Sequence, residues 1–244
     1  MNNTIFSFPK PENEPVLGYA PGSPERKKIR AALDELYSTV TEIPIIIGGK
    51  EIRTGNTGNV VMPTEHGHIL ATYHKVGEKE VQMAIEAAME ARRQWAETSW
   101  IERASICQKI ATLISGKYRY LINAATMLGQ GKTTMQAEID SACELVDFLR
   151  YNAYYMSQIY ADQPCSDKGT LNYVTYRPLE GFILAVTPFN FTSIASNLEM
   201  SPVLMGNVTL WKPSTTALLS NYLLMKIYKE AGLPDGVVNF LPGS

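Results

Sequence analysis

The chain has 244 residues, of which 45% are hydrophobic, and a formal net charge of −2. That length supports one large core or two modest ones, and the near-balanced charge argues against a nucleic-acid or polybasic membrane partner. No apolar run approaches the roughly 18–20 residues of a membrane span, and the opening MNNTIFSFPKPENEP lacks the basic and apolar regions of a secretory signal. Cys107, Cys143 and Cys165 have no CxxC spacing, which excludes a disulfide framework and an evident zinc site. The expectation is a cytoplasmic globular protein.

Residues 1–24, rich in Pro, Asn and Gly, predict an extended arm over the surface. Ser23-Pro24-Glu25-Arg26 reads as a helix start, with Ser at the N-cap and Pro at the first helical position. That helix should run to about Val40 with Ile29, Leu33 and Leu36 facing inward. Residues 43–47 (IPIII) and 69–73 (ILATY) read as strands joined by a Gly- and Asn-rich stretch, an outer layer of edges and turns. From 78 to 160 the apolar period becomes helical. It passes through Val81, Ile85, Ala88 and Trp95, then Ile106, Ile110, Leu113 and Ile114, then Leu121, Ile122, Ala125 and Leu128. A long final helix is expected from Thr133, with Ile139, Ala142, Val146, Leu149 and Ala153 on one face. These four helices should pack against a sheet. Residues 171–176 (LNYVTY), between Gly169 and Pro178, are a candidate strand in a hairpin over 161–180. That hairpin is either an edge offered to another subunit or an ordinary surface feature.

The end of the chain is more regular. The apolar runs FILAVT (182–187), NVTLW (207–211) and VVNFL (237–241) alternate with segments 192–205 and 215–231, each long enough for a crossover helix. Ala231-Gly232-Leu233-Pro234 is a helix stop. This is a βαβαβ unit with a parallel sheet. The chain then divides into arm and first helix (1–42), strands and helices (43–160), hairpin (161–180) and βαβαβ core (181–244).

In open parallel sheets ligands sit beyond the carboxyl ends of the strands, which here carry Thr187-Pro188-Phe189-Asn190 and Lys212-Pro213-Ser214. The Asn190 amide is placed to donate to an oxyanion on a bound carbonyl, or to cap the following helix. Lys212 either bonds ribose hydroxyls or a 2′-phosphate, or snorkels from a strand end. Ser214 has an alternative as an N-cap. Glu144 shares a helix face with Phe148 and Tyr151, at a ligand pocket or at the rim of the fold. Gly131-Lys132-Thr133 is not a phosphate loop, because the first Gly of that motif would fall on Thr126. No GxGxxG follows the first core strand. His66, His68 and His74 include an HxH spacing, but no acidic or Cys partner is evident for a metal. None of the cysteines stands at a helix N-terminus or before a Gly-rich turn. The residues alone therefore name no nucleophile and no general base.

TPFNF (187–191) with GNVTLWKPS (206–214) resembles the aldehyde dehydrogenase superfamily. NEPVLGYAPGSPER (13–26), GQGKTTMQAEIDSACELVDFLRYNA (129–153) and RPLEGFILAVTPFNFTSIASN (177–197) are similar to one branch of it. That branch oxidises glutamate-γ-semialdehyde (pyrroline-5-carboxylate) to glutamate with NAD in proline breakdown. The resemblance implies an α/β fold, an open parallel-sheet, Rossmann-like NAD-binding domain with part of an oligomerisation hairpin. It also implies a homo-oligomer acting on a small aldehyde in the cytoplasm, or in the mitochondrial matrix of a eukaryote. Residue by residue, it makes Asn190 the oxyanion donor, and Lys212 and Ser214 the holders of the adenosine ribose. Thr187, Pro188 and Phe189 would line the cofactor cleft near the nicotinamide, Gly243 would approach the pyrophosphate, and Phe191 and Glu144 would border the aldehyde tunnel. Many relatives carry Glu three positions after the lysine. Thr215 stands there, which leaves NAD-versus-NADP preference open. The family's Gly-Gln-x-Cys and Glu-Leu/Cys-Gly-Gly stretches, which hold its nucleophile and its base, do not occur in these 244 residues. The expectation is the N-terminal portion of a longer enzyme, without the catalytic domain and inactive alone. The alternative is a non-catalytic nucleotide-binding or self-associating module.

Overall fold

The computed structural model describes residues 8–243, so the first seven positions of the expected arm lie outside it. Residues 8–20 have no regular secondary structure, yet side chains hold them down. Glu138, 0% exposed, accepts from the Leu17 N–H at 2.8 Å, the Tyr19 hydroxyl at 2.6 Å and Asn123 Nδ2 at 2.8 Å, and pairs with Arg119. Arg119 also donates to the Pro15 carbonyl at 2.7 Å and to Glu14 at 2.6 Å. Helix α1 (Pro24–Tyr37) starts as expected, with Ser23 Oγ accepting from the Arg26 N–H at 3.1 Å. It buries Ile29, Ala32 and Leu36 and ends at Tyr37, short of Val40.

The apolar run at 43–47 is not one strand. Pro44 has no N–H for a ladder, and it divides β1 (Thr41–Ile43) from β2 (Ile45–Ile47). Strands β3 (Lys50–Ile52), β4 (Thr57–Met62) and β5 (Glu65–His74) follow. β1 joins β5 in parallel, and β4 pairs antiparallel with β5, in a three-stranded sheet. β2 enters a second, five-stranded sheet as the inner partner of a hairpin with β3, which forms that sheet's edge. Ile43 and Ile45 are both 0% exposed, so this stretch is core and not outer layer.

Helices α2 (Glu78–Glu97), α3 (Trp100–Ser115) and α4 (Arg119–Gln130) come next. α2 turns Ala84, Ala88 and Trp95 inward and leaves Val81 exposed, a face rotated from the one expected. The long final helix is interrupted. After α5 (Thr134–Ala137), residues Glu138–Glu144 form a π-helical segment that leads into α6 (Leu145–Ala161). A π segment bonds i to i+5 and inserts an extra residue in the turn, shifting the face of what precedes it. Ala142, Val146, Leu149 and Ala153 are buried as expected, but Ile139 is exposed while Glu138, Asp140 and Ser141 are buried.

Residues 171–176 are not a strand. Within 161–180 there is one isolated bridge, Asp167 to Thr170, and the chain is held by side-chain bonds such as Gln163 Oε1 to the Val174 N–H at 2.9 Å. Leu171 and Tyr173 are exposed. A lone hairpin without a neighbouring sheet has little to stabilise its ladder.

The βαβαβ unit forms as expected: β6 (Ile183–Val186), α7 (Thr192–Leu204), β7 (Thr209–Lys212), a 3₁₀ turn (Thr215–Ala217), α8 (Leu218–Ala231) and β8 (Val238–Phe240). Sheet order is β3-β2-β8-β7-β6. β6, β7 and β8 are parallel, and β2 extends them antiparallel through Ile46 opposite Phe240. Gly232, at φ +95°, ends α8 in the left-handed conformation that suits glycine. Trp211, Phe240 and Tyr228 cluster under α8, the Trp211 and Phe240 rings edge to face at 5.2 Å. Strands β7 and β8 are buried, while β6 leaves Leu184 and Val186 exposed. Among the described residues no helix is long and apolar enough to cross a membrane.

Candidate functional site

Parallel pairing sets Val186 of β6 beside Lys212 of β7, so the loops that follow these strands leave the sheet side by side. The first loop is fixed at its start. Thr187 is buried, its N–H donates to the Lys212 carbonyl at 3.1 Å, and its hydroxyl accepts from Trp211 Nε1 at 2.9 Å. Pro188, Phe189 and Asn190 then cross open surface, with Phe189 64% exposed. Asn190 is exposed and makes no hydrogen bond among the described residues. It does not cap α7, whose cap position is Phe191. Of the two readings of its amide, the cap is removed.

The start of α7 is served from elsewhere. Asp140, in the π segment, accepts from the Thr192 N–H at 3.0 Å and the Ser193 N–H at 2.8 Å. These N–H groups have no partner inside the helix, and a carboxylate there also meets the positive end of its dipole. Lys132 Nζ lies 2.6 Å from the same carboxylate and 4.1 Å over the Phe191 ring. The Thr192 hydroxyl lies within hydrogen-bond distance of Thr126 at 2.9 Å, Gln130 at 2.8 Å and Ser220 at 3.1 Å.

On the second loop, Lys212 is half-buried, and its ammonium has no ion pair or hydrogen bond among the described residues. Ser214 lies 3.2 Å from Thr216 and makes no cap bond to the 3₁₀ turn that contains Thr215. Gly243 follows β8 and is buried. A Cβ there would come within 2.8 Å of Val76 Cγ1, and the neighbouring Pro242 carbonyl accepts from the Val76 N–H at 2.8 Å. The close approach that demands a glycine here is to Val76.

Glu144, Phe148 and Tyr151 do share a face. With Asn13, Asp147, Asn152 and Tyr155 they line an open hollow of about 560 Å³. Glu144 Oε2 accepts from Ser193 Oγ at 3.1 Å, which ties the hollow to the start of α7. Phe191 lies under Lys132 and is not among the residues lining that hollow.

The other titratable groups stay out of the chemistry. Burial pushes the Cys107 thiol up to about 12 and the Cys143 thiol up to about 11, far from the thiolate a nucleophile needs. His74 does find an acidic partner, Glu42 Oε1 at 3.0 Å, which its sequence neighbours did not disclose. Among the described residues no group of three or more His, Cys, Asp or Glu side chains is placed to hold a metal.

In the sequence Lys132 stands out only as a phosphate-loop lysine, and Asp140 not at all. The available signal was three polar residues, Glu138, Asp140 and Ser141, inside a helix expected to be amphipathic.

A profile of the aldehyde dehydrogenase family matches residues 52–244. The chain is 51% identical over 240 residues to the Δ1-pyrroline-5-carboxylate dehydrogenase of Agaricus bisporus, covering 98% of this chain and 44% of that protein. It is 46% identical over 233 residues to the human mitochondrial Δ1-pyrroline-5-carboxylate dehydrogenase, covering 96% of this chain and 41% of that one. Among solved structures, the Δ-pyrroline-5-carboxylate dehydrogenase of Mycobacterium tuberculosis bound with NAD superimposes with a TM-score of 0.98 at 45% identity. That match covers 100% of this chain and 46% of the other. The chain thus spans less than half the length of these relatives.

Proposed function

The chain belongs to the aldehyde dehydrogenase family, and from that premise we propose that its strand tips bind NAD for the oxidation of L-glutamate-γ-semialdehyde to L-glutamate. The observation that carries the reading is the pairing of Lys212, whose ammonium has no partner among the described residues, with Asn190, an exposed amide that caps no helix, on adjacent loops at the carboxyl edge of one parallel sheet. The relatives named for this oxidation, one of them bound with NAD, support it.

The residues suit a dinucleotide. An ammonium without a protein partner is free to bond ribose hydroxyls, and Ser214 adds a hydroxyl on the same loop. Exposed Val186 and Phe189 offer apolar surface for a flat ring. Bound there, NAD supplies the hydride acceptor. Asn190 donates its amide N–H to the aldehyde oxygen as negative charge grows on it. Thr187, anchored to Trp211, fixes where the loop begins. Glu144 and Phe191 approach the aldehyde from the start of α7. Thr215 puts no carboxylate beside the ribose, so discrimination against a 2′-phosphate does not come from that position. The protein works in the cytoplasm, or in the mitochondrial matrix if its source is a eukaryote, and assembles as a homo-oligomer through the exposed 161–180 segment.

These 244 residues by themselves bind the cofactor and do not turn over. Their two buried thiols are raised far above neutrality by burial, and Cys165 lies on the exposed 161–180 segment. Calorimetry with NAD and NADP tests the binding, and Lys212→Ala should weaken NAD by about tenfold through loss of charge-assisted bonds. NADH formation with glutamate-γ-semialdehyde tests the rest. No NAD binding by the wild-type chain, or turnover by it, refutes this reading.

A further inference from the structure

We propose that Lys132 and Asp140 are positioning residues that set the Pro188-Phe189-Asn190 loop through the first turn of α7. The inference rests on the cofactor reading above and goes beyond it, since neither residue touches that surface loop's free side chains.

The loop is short and suspended between two anchors. On one side, Thr187 is tied to Trp211 and to the Lys212 carbonyl. On the other, the Thr192 and Ser193 N–H groups donate to the two oxygens of Asp140, at 3.0 and 2.8 Å. Between the anchors Asn190 makes no hydrogen bond among the described residues. Its location is therefore inherited from Asp140, whose side chain is almost fully buried at 2% exposed. The π segment makes this possible, because its wider turn carries Asp140 inward where a regular helix was expected to bury Ile139. Such segments recur at functional sites. Gly131 contributes by ending α4 at φ +65°, which swings Lys132 back over Phe191 and onto Asp140.

The charges have an order. Asp140 offsets both the helix dipole and Lys132. Removing only its charge leaves an ammonium facing the positive end of α7. Removing Lys132 as well relieves that repulsion.

The test is calorimetry on the 244-residue chain with two probes, NAD and ADP-ribose, the second lacking the nicotinamide that residues 187–189 line on the cofactor reading. Asp140→Asn should weaken NAD by about tenfold while ADP-ribose changes by less than about twofold. Lys132→Met should weaken NAD by about threefold with the same selectivity. The double variant should resemble Lys132→Met and not the sum of the two. If Asp140→Asn fails to fold, Lys132→Met carries the test, since it leaves both bonds to α7 in place. Parallel weakening of NAD and ADP-ribose, no change in either, or strict additivity in the double variant overturns the proposal. A wild-type chain that binds neither probe overturns the cofactor reading itself. Binding of both with unselective variants overturns the positioning role alone.

Discussion

Replacing Glu138 by Ala should loosen the arm around Leu17 and Tyr19, leave its Glu14 anchor in place, and lower stability by about 3 kcal/mol. The carboxylate is fully buried and serves Leu17, Tyr19, Asn123 and Arg119 together. Removal strands one backbone N–H and one hydroxyl proton, leaves Asn123 Nδ2 with only the Tyr19 oxygen at 3.2 Å, and takes from Arg119 one of its two carboxylate partners. Breaking a buried pair from one side typically costs about 3–5 kcal/mol. Arg119 keeps Glu14 at 2.6 Å, which places this case at the lower end. Against a total of about 5–15 kcal/mol for a domain, the change is large enough for urea unfolding. The pH dependence has a definite sign. Burial pushes the Glu138 carboxyl up, but hydrogen bonds from Arg119, Tyr19 and the Leu17 N–H outweigh it and hold the group below the usual carboxylate range. A folded-state value below the unfolded one gives stability that is present above the ordinary range and is lost as pH falls through the depressed value. The gap between wild type and Glu138→Ala should therefore narrow in acid. Amide exchange at Leu17 should accelerate in the variant at neutral pH. A change within about 0.5 kcal/mol of wild type, with the Leu17 amide still protected, would show that the arm is held by something other than this carboxylate.

Glu199 is 0% exposed, and burial raises its carboxyl well above the usual range despite the Tyr228 hydroxyl donating to Oε1 at 2.8 Å. The unfolded chain releases that proton first, so wild-type stability falls as pH rises above the ordinary carboxylate range. Glu199→Gln keeps the acceptor and carries no proton to lose, so its stability relative to wild type should rise as pH climbs above the ordinary carboxylate range in urea titrations; a flat difference refutes a neutral Glu199. Gly232→Ala meets nothing within 4 Å, so its cost should be backbone strain alone, about 1–2 kcal/mol. Gly243→Ala instead presses on Val76 without a positive φ, and truncating Val76 to Ala in the same chain should recover most of its loss; equal behaviour of the two glycine variants, with no rescue, contradicts this distinction.

The βαβαβ order of residues 182–241 was legible because buried strands and crossover helices have unlike lengths and periods, and Gly232-Leu233-Pro234 punctuates them. The Ser23-Pro24 helix start was legible for the same local reason. The single strand drawn through 43–47 was not, because an apolar run looks alike whether its halves join one sheet or two, and Pro44 reveals its role only once β5 and β8 are in place. Ile139 misled because the helical period assumes an uninterrupted turn. The strand at 171–176 misled because strand propensity needs a neighbour to pair with.

From sequence alone came the parallel architecture, the two loops at its edge and the identity of the groups they carry, since these follow from local pattern and order along the chain. Whether Asn190 was a cap or a free amide depended on what reached the α7 N-terminus from some fifty residues away in sequence, and that was Asp140. Lys132 changed likewise from a phosphate-loop suspect to the counter-ion of that carboxylate. Hydrogen-bond partners distant in sequence leave no periodic trace, because only the packed fold brings donor and acceptor within 3 Å of each other.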